Sequence, residues 1–115
     1  MQLLTGVAMV MIYLYLFMLT TWVLFLAAMN LKGNLTKITP VAKLFAYPTA
    51  IVAWLWDCAF NIFAGTLLFL ELPHELVFTS RCERHMKEKG WRGQEARFWC
   101  RNLLDPFDPG GKHCQ

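Results

Sequence analysis

GVAMVMIYLYLFMLTTWVLFLAAM, residues 6–29, carries no charged side chain and no proline. An α-helix needs about 20 apolar residues to cross a hydrocarbon core ~30 Å thick, and this run is longer than that. The charge-free region reaches from Met1 to Leu31, and Lys32 is the first charge in the chain. A second run, TAIVAWLWDCAFNIFAGTLLFL at 49–70, meets the same criterion with one charge, Asp57. Past Glu71 the character inverts, and Lys, Arg, Asp and Glu recur every few positions as far as Lys112.

Hydrophobic residues make up 57% and charged residues 17% of the 115 positions, against about 25% charged in ordinary globular proteins. With two spans in lipid, only about 60 residues remain outside, too few for a large soluble core. The N-terminal run lacks the basic start of a cleavable signal peptide and exceeds the usual apolar stretch of ~7–15 residues. It reads as a retained transmembrane helix.

The expected architecture is an all-α membrane protein: a two-helix transmembrane hairpin followed by a short helical cytoplasmic tail. Its parts are a transmembrane helix over 1–31, a connector over 32–47, a second transmembrane helix over 48–72 and a basic tail over 73–115. Gly33, Asn34, Pro40 and Pro48 are the breaker signals of the connector. Val41, Leu44, Phe45 and Tyr47 make its second half apolar enough to lie in the interface. Tyr13, Tyr15 and Trp22 sit too centrally in the first run to be only belt anchors, and packing against the second run is expected for them.

In the tail, one helix is expected over 73–89, stopped by Gly90, and another over 91–104. Ala96, Trp99, Cys100 and Leu103 recur at helical spacing and define an apolar face. Asp105-Pro106 and Asp108-Pro109-Gly110-Gly111 end it. Lys and Arg bias orients membrane helices. Lys32, Lys37 and Lys43 of the connector stand against Arg81, Arg84, Lys87, Lys89 and Arg92 of the tail, so both termini are expected in the cytoplasm.

Three constellations carry chemistry. Asp57, Asn61 and Gly65 follow at intervals of four and share one helix face. A carboxylate at membrane depth is costly and must face protein, water or a partner helix. It serves either to glue the helices or to line a pore or assembly face. Trp91, Arg92, Arg97, Phe98, Trp99 and Arg101 form an aromatic–basic patch suited to a protein hot spot or an anionic lipid surface. A net charge of +3 with interleaved Glu and Asp gives no basis for specific nucleic-acid binding. Cys82, His85, Cys100, His113 and Cys114 have zinc-ligand chemistry. The bland alternative makes Cys100 a small hydrophobe, Cys82 and Cys114 free thiols and His85 solvated. A disulfide requires the inverted topology, because cytoplasmic thiols stay reduced. No phosphate loop, nucleophile motif or catalytic carboxylate pair is present, so no enzymatic activity is expected.

Gly65 to Leu76, and then Trp91-Arg92-Gly93 through Leu103-Leu104-Asp105-Pro106-Phe107-Asp108-Pro109 to His113-Cys114, resemble a group of small two-span membrane proteins of tailed bacteriophages and prophages. The resemblance covers about residues 55–115, and its most specific part is 103–109. It implies the bacterial inner membrane rather than a mechanism. An apolar residue is usual in that group at the position of Cys82, which makes His85, Cys100, His113 and Cys114 the better zinc set, with Cys82 as the alternative ligand. The leading expectation is a membrane-anchored interaction module acting through its tail, in superinfection exclusion or membrane-associated assembly, with the bilayer and a protein partner or second copy as its contacts. The alternatives are a holin-like permeabilising protein and a virion structural protein.

Overall fold

The structure is a computed structural model, and it describes residues 1–114. Among the described residues every regular element is helical. Helix α1 spans Gln2–Gly33, since no breaker interrupts the apolar run before Gly33-Asn34. Asn34 ends it twice over: its backbone N–H meets the Leu31 carbonyl at 3.1 Å and its side chain donates to the Asn30 carbonyl at 2.7 Å. A single 3₁₀ turn, Leu35–Lys37, follows.

Helix α2 spans Pro40–Phe60. It starts well before Pro48, the boundary expected from the sequence. The start is set by Thr39, whose hydroxyl accepts the Ala42 N–H at 3.2 Å, with Pro40 in the first turn. That combination supplies a cap and a pre-set φ. Pro48 lies inside the helix, where it removes only one backbone hydrogen bond. The adjacent Thr49 hydroxyl donates to the Phe45 carbonyl at 2.7 Å. The connector therefore shrinks to residues 34–39, and Val41, Leu44, Phe45 and Tyr47 belong to α2.

The helix continues through a π turn, Asn61–Gly65, into α3, Thr66–Phe69. Leu70 then adopts φ 50, the left-handed conformation that glycine usually supplies at a helix end. Arg92 steadies this corner by donating to the Phe69 and Leu70 carbonyls at 2.7 and 3.2 Å. Both long helices, Gln2–Gly33 and Pro40–Phe69, are long and apolar enough to cross a membrane. They pack side by side: Phe17 stacks on Trp56 and Phe60 with ring centroids 5.4 and 5.5 Å apart. The Trp56 indole N–H donates to the Thr21 hydroxyl at 2.9 Å.

The chain beyond α3 folds back along the helix pair. Helix α4 is Phe78–His85, shorter than the expected 73–89. The approach to it is not helical; Val77 is extended, and the Glu75 carbonyl is taken by Asn61. Helix α5 is Trp91–Trp99 and runs on through a π turn, Cys100–Leu104, and a 3₁₀ turn, Asp105–Phe107. The core lies where the tail meets α2 and α3. Phe60, Ala64, Phe69, Phe78, Cys82, Ala96 and Cys100 are buried there. Phe78 meets Phe60 edge-on at 5.1 Å.

The turn between α4 and α5 is tight. A Cβ on Gly93 would collide with the Glu88 carbonyl and lie 3.0 Å from that of His85. Gly93→Ala is therefore expected to lower stability by about 1–3 kcal/mol, the usual range for overpacking. Gly6, with nothing near its Cβ position, is the control: Gly6→Ala should leave stability equal or slightly higher. Chemical denaturation of both variants in detergent, followed by circular dichroism, measures the difference.

Candidate functional site

The polar stripe on α2 faces the tail. Asp57 Oδ1 accepts the Phe78 N–H at 3.4 Å, and Asn61, fully buried, donates from Nδ2 to the Glu75 carbonyl. A Cβ on Gly65 would stand 3.1 Å from the Arg81 guanidinium and 3.1 Å from Asn61 Oδ1. A side chain at position 65 would press on both groups, so the glycine eases the close approach of Arg81. The three residues that helical spacing places on one face do face the tail together, and their contacts are made within the chain.

Around them sits a buried ionic cluster that the sequence reading did not single out. Arg81 is fully buried, and its nearest carboxylate oxygen is Glu71 Oε1 at 4.0 Å. None of its three guanidinium nitrogens has a hydrogen-bond partner among the described residues. Arg84 bridges Glu71 and Glu75. His85 Nε2 lies 2.6 Å from Glu71 Oε1, and its ring stacks on Phe69 at 4.7 Å. A signal for this existed. Phe78, Arg81, Cys82 and His85 stand at i, i+3, i+4 and i+7, the period of one helix face, and all four are buried.

A second cluster is a strap, residues 105–114, closed by the Cys100–Cys114 disulfide. Asp105 Oδ1 accepts the N–H groups of His113 and Cys114 at 2.8 and 2.9 Å. Asp108 is buried and receives Lys32 Nζ at 2.9 Å, His113 Nδ1 at 2.9 Å and the Gly110 N–H at 2.8 Å. Trp22 fixes the other edge, with its indole N–H 2.9 Å from the Leu103 carbonyl and its ring edge-on to Phe107. Lys32 and Asp108 are too far apart in sequence for any local pattern to pair them.

The five zinc candidates do not converge. Cys100 and Cys114 are bonded to each other, and His113 is held by Asp108 and by the Thr79 hydroxyl. His85 belongs to the Glu71 cluster. Cys82 is fully buried, and burial pushes its thiol up, away from the thiolate that binds metal. No group of three or more His, Cys, Asp or Glu placed to hold a metal ion occurs among the described residues.

The aromatic–basic patch divides. Arg92 caps the corner at Leu70 and lies over the Trp91 ring, 4.8 Å from its centroid. Arg97 donates to the Met86 and Glu88 carbonyls at 2.8 and 3.0 Å. Trp99 turns inward and donates to Glu95 at 3.2 Å. Trp91, Phe98 and Arg101 are left exposed on the outer face of α5 and its π turn.

Between α1, α2 and the tail lies a cavity of about 330 Å³ walled by Met18, Phe25, Ala53, Trp54, Phe60 and Leu104, with Thr21, Asp57, Thr79 and His113 among its polar groups. Compared with protein families, characterised proteins and solved structures, the chain matches none.

Asp108 sets a pH window for the strap. Burial opposes its ionisation, but the Gly110 N–H, His113 and Lys32 outweigh that and hold the carboxyl down to about 2. A carboxylate whose pKa falls on folding adds stability that is complete above its unfolded value, 3.8, and is lost as pH falls through about 2. Amide exchange at His113 and Cys114 is expected to speed up across that window. In Lys32→Met, which removes one of the groups holding the carboxyl down, the loss should be smaller and complete at a higher pH.

Proposed function

We propose that this chain is an integral membrane protein that works as a membrane-anchored interaction module, with α1 and α2 as the anchor and the outer face of α5 as the contact surface. One observation carries the anchor: α1 buries none of its residues. Leu3, Leu4, Val7, Val10, Ile12, Tyr13 and Val23 are among the large apolar side chains left uncovered along it. The core helix of a soluble protein hides such a surface, and an uncovered one of this extent calls for lipid or another chain. The tail covers one side of the helix pair, so contact with lipid belongs to the other.

The module reading draws on Trp91 and Phe98, which are 49% and 55% exposed on an otherwise packed element, with Arg101 beside them. Exposed aromatics flanked by arginine have the composition of binding hot spots. The partner is a second copy or another envelope protein, and the resemblance to phage membrane proteins makes exclusion or assembly at the bacterial inner membrane the setting. The holin-like alternative drew on Asp57, Asn61 and Gly65 as an assembly face. Those groups are engaged with the tail, which favours the module over the pore.

The disulfide bears on orientation. Such bonds persist in oxidising compartments, so the Cys100–Cys114 link favours a tail outside the cytoplasm, against the Lys and Arg count that favours the opposite.

Alkaline extraction of the expressed full chain should leave it in the membrane fraction; release into the supernatant would remove the anchor. Membrane potential should stay intact on induction. Abrupt depolarisation that is lost in Asp57→Leu would establish the pore instead. A photo-crosslinker at Phe98 should trap a defined adduct, and Trp91→Ala should weaken it by roughly tenfold or more, the scale of a single hot-spot residue.

Orientation has its own test. A C-terminal reporter active only outside the cytoplasm should be active, with Cys100 and Cys114 resistant to alkylation until reduced. A silent reporter and freely alkylated thiols would place the tail in the cytoplasm.

A further inference from the structure

We propose that the cavity between α1, α2 and the tail is a binding site for a lipophilic ammonium ion, with Asp57 as its counter-charge. The walls are apolar, and Asp57 is the one carboxylate among them; no Lys or Arg lines the space. Asp57 uses one oxygen, Oδ1, for the Phe78 N–H at 3.4 Å. Its second oxygen has no hydrogen-bond partner among the described residues, and the side chain borders the cavity. His113, the other ionisable group there, has both ring nitrogens engaged, with Asp108 at 2.9 Å and Thr79 at 3.0 Å. The unanswered oxygen of Asp57 is a hydrogen-bond acceptor that carries negative charge when ionised, and its complement is a cation.

The surroundings narrow the class further. Trp22, Trp54 and Trp99 line the cavity, and indole faces attract ammonium groups within about 6 Å of the ring. At about 330 Å³ the space stands at the small end of ligand sites, which run from ~300 to ~1,000 Å³. It holds one short alkyl chain or a ring system rather than a two-chain lipid. The ligand class is a single-chain or one-ring amphiphile with a primary or quaternary ammonium head. The site stands whichever side of the membrane the tail occupies, because it depends on packing within the chain.

The three tryptophans supply the readout. The full-length protein in lipid nanodiscs is titrated with a bromine-tagged alkyltrimethylammonium ion of about ten carbons, whose bromine quenches indole fluorescence on contact. The bromine-tagged alcohol of equal length is the neutral control. Saturable quenching is expected for the cation and a linear, partition-type response for the alcohol. Asp57→Asn keeps an oxygen for the Phe78 N–H and removes the charge; cation affinity should drop at least tenfold. Ala53→Phe, at a wall position 8% exposed, should abolish saturation by filling the space. If that variant does not fold by circular dichroism, Asp57→Asn and the alcohol decide alone. Equal affinity in wild type and Asp57→Asn, equal saturable binding of the alcohol, or no saturable quenching by the cation overturns the proposal.

Discussion

The bond from the Asn61 amide to the Glu75 carbonyl fixes how the rest of the chain can lie. Asn61 is fully buried on an otherwise apolar helix, and a buried amide without a partner is costly. The partner of its Nδ2 is a backbone oxygen just before α4, so satisfying that donor turns the chain back along α2, while Oδ1 has no hydrogen-bond partner among the described residues. Once the chain has turned, Phe78 comes against Phe60 and its N–H reaches Asp57. Arg81 then comes down on α2 beside position 65, where the missing Cβ leaves its guanidinium room. The π turn lies over the same residues, Asn61–Gly65. Such turns occur mostly as single irregularities in α-helices, often where a side chain is re-aimed. One amide thus links the local irregularity of α2, the glycine beside it and the path of the tail.

The two long helices were legible because their signal is compositional: an uninterrupted apolar run needs no knowledge of its neighbours. Their limits were less so. Pro48 has the form of a boundary, yet it lies inside α2 because Thr39-Pro40 offers a capped start one residue after a 3₁₀ turn and its outlet. The apolar face of α5 was visible from Ala96, Trp99, Cys100 and Leu103. The matching face of α4 was hidden by residue type, since it includes Arg81 and His85 beside Phe78 and Cys82, and a reader who scores only apolar residues passes over it.

The candidate site shows the same division. Asp57, Asn61 and Gly65 could be grouped by helical spacing, because one helix carries them all. What they touch is set by tertiary packing and lies beyond any local pattern. The tail cysteines and histidines were grouped by ligand chemistry, but the geometry gives Cys100 to Cys114, His113 to Asp108 and His85 to Glu71. Spacing in sequence cannot choose between a thiolate that binds metal and one that finds another thiolate. The basic residues of α5 divide for a related reason. A guanidinium can serve a partner or can cap the chain's own carbonyls, and Arg92 and Arg97 do the second.

The strap that walls the cavity has a consequence for the order in which the protein can be built. Asp57 is synthesised long before His113 and Cys114, and α1 and α2 leave the ribosome while the strap residues are still untranslated. Throughout that interval Lys32 has no Asp108 to meet it and the cavity lacks the wall that His113 supplies. The helix pair must therefore pass through an early state in which Asp57 and Asn61 can already be met by the Phe78 and Glu75 backbone, while the edge of the cavity beside them stands open. Closure is completed only when the strap arrives and its disulfide forms, so any delay between the two lengthens the life of a form with an open cavity.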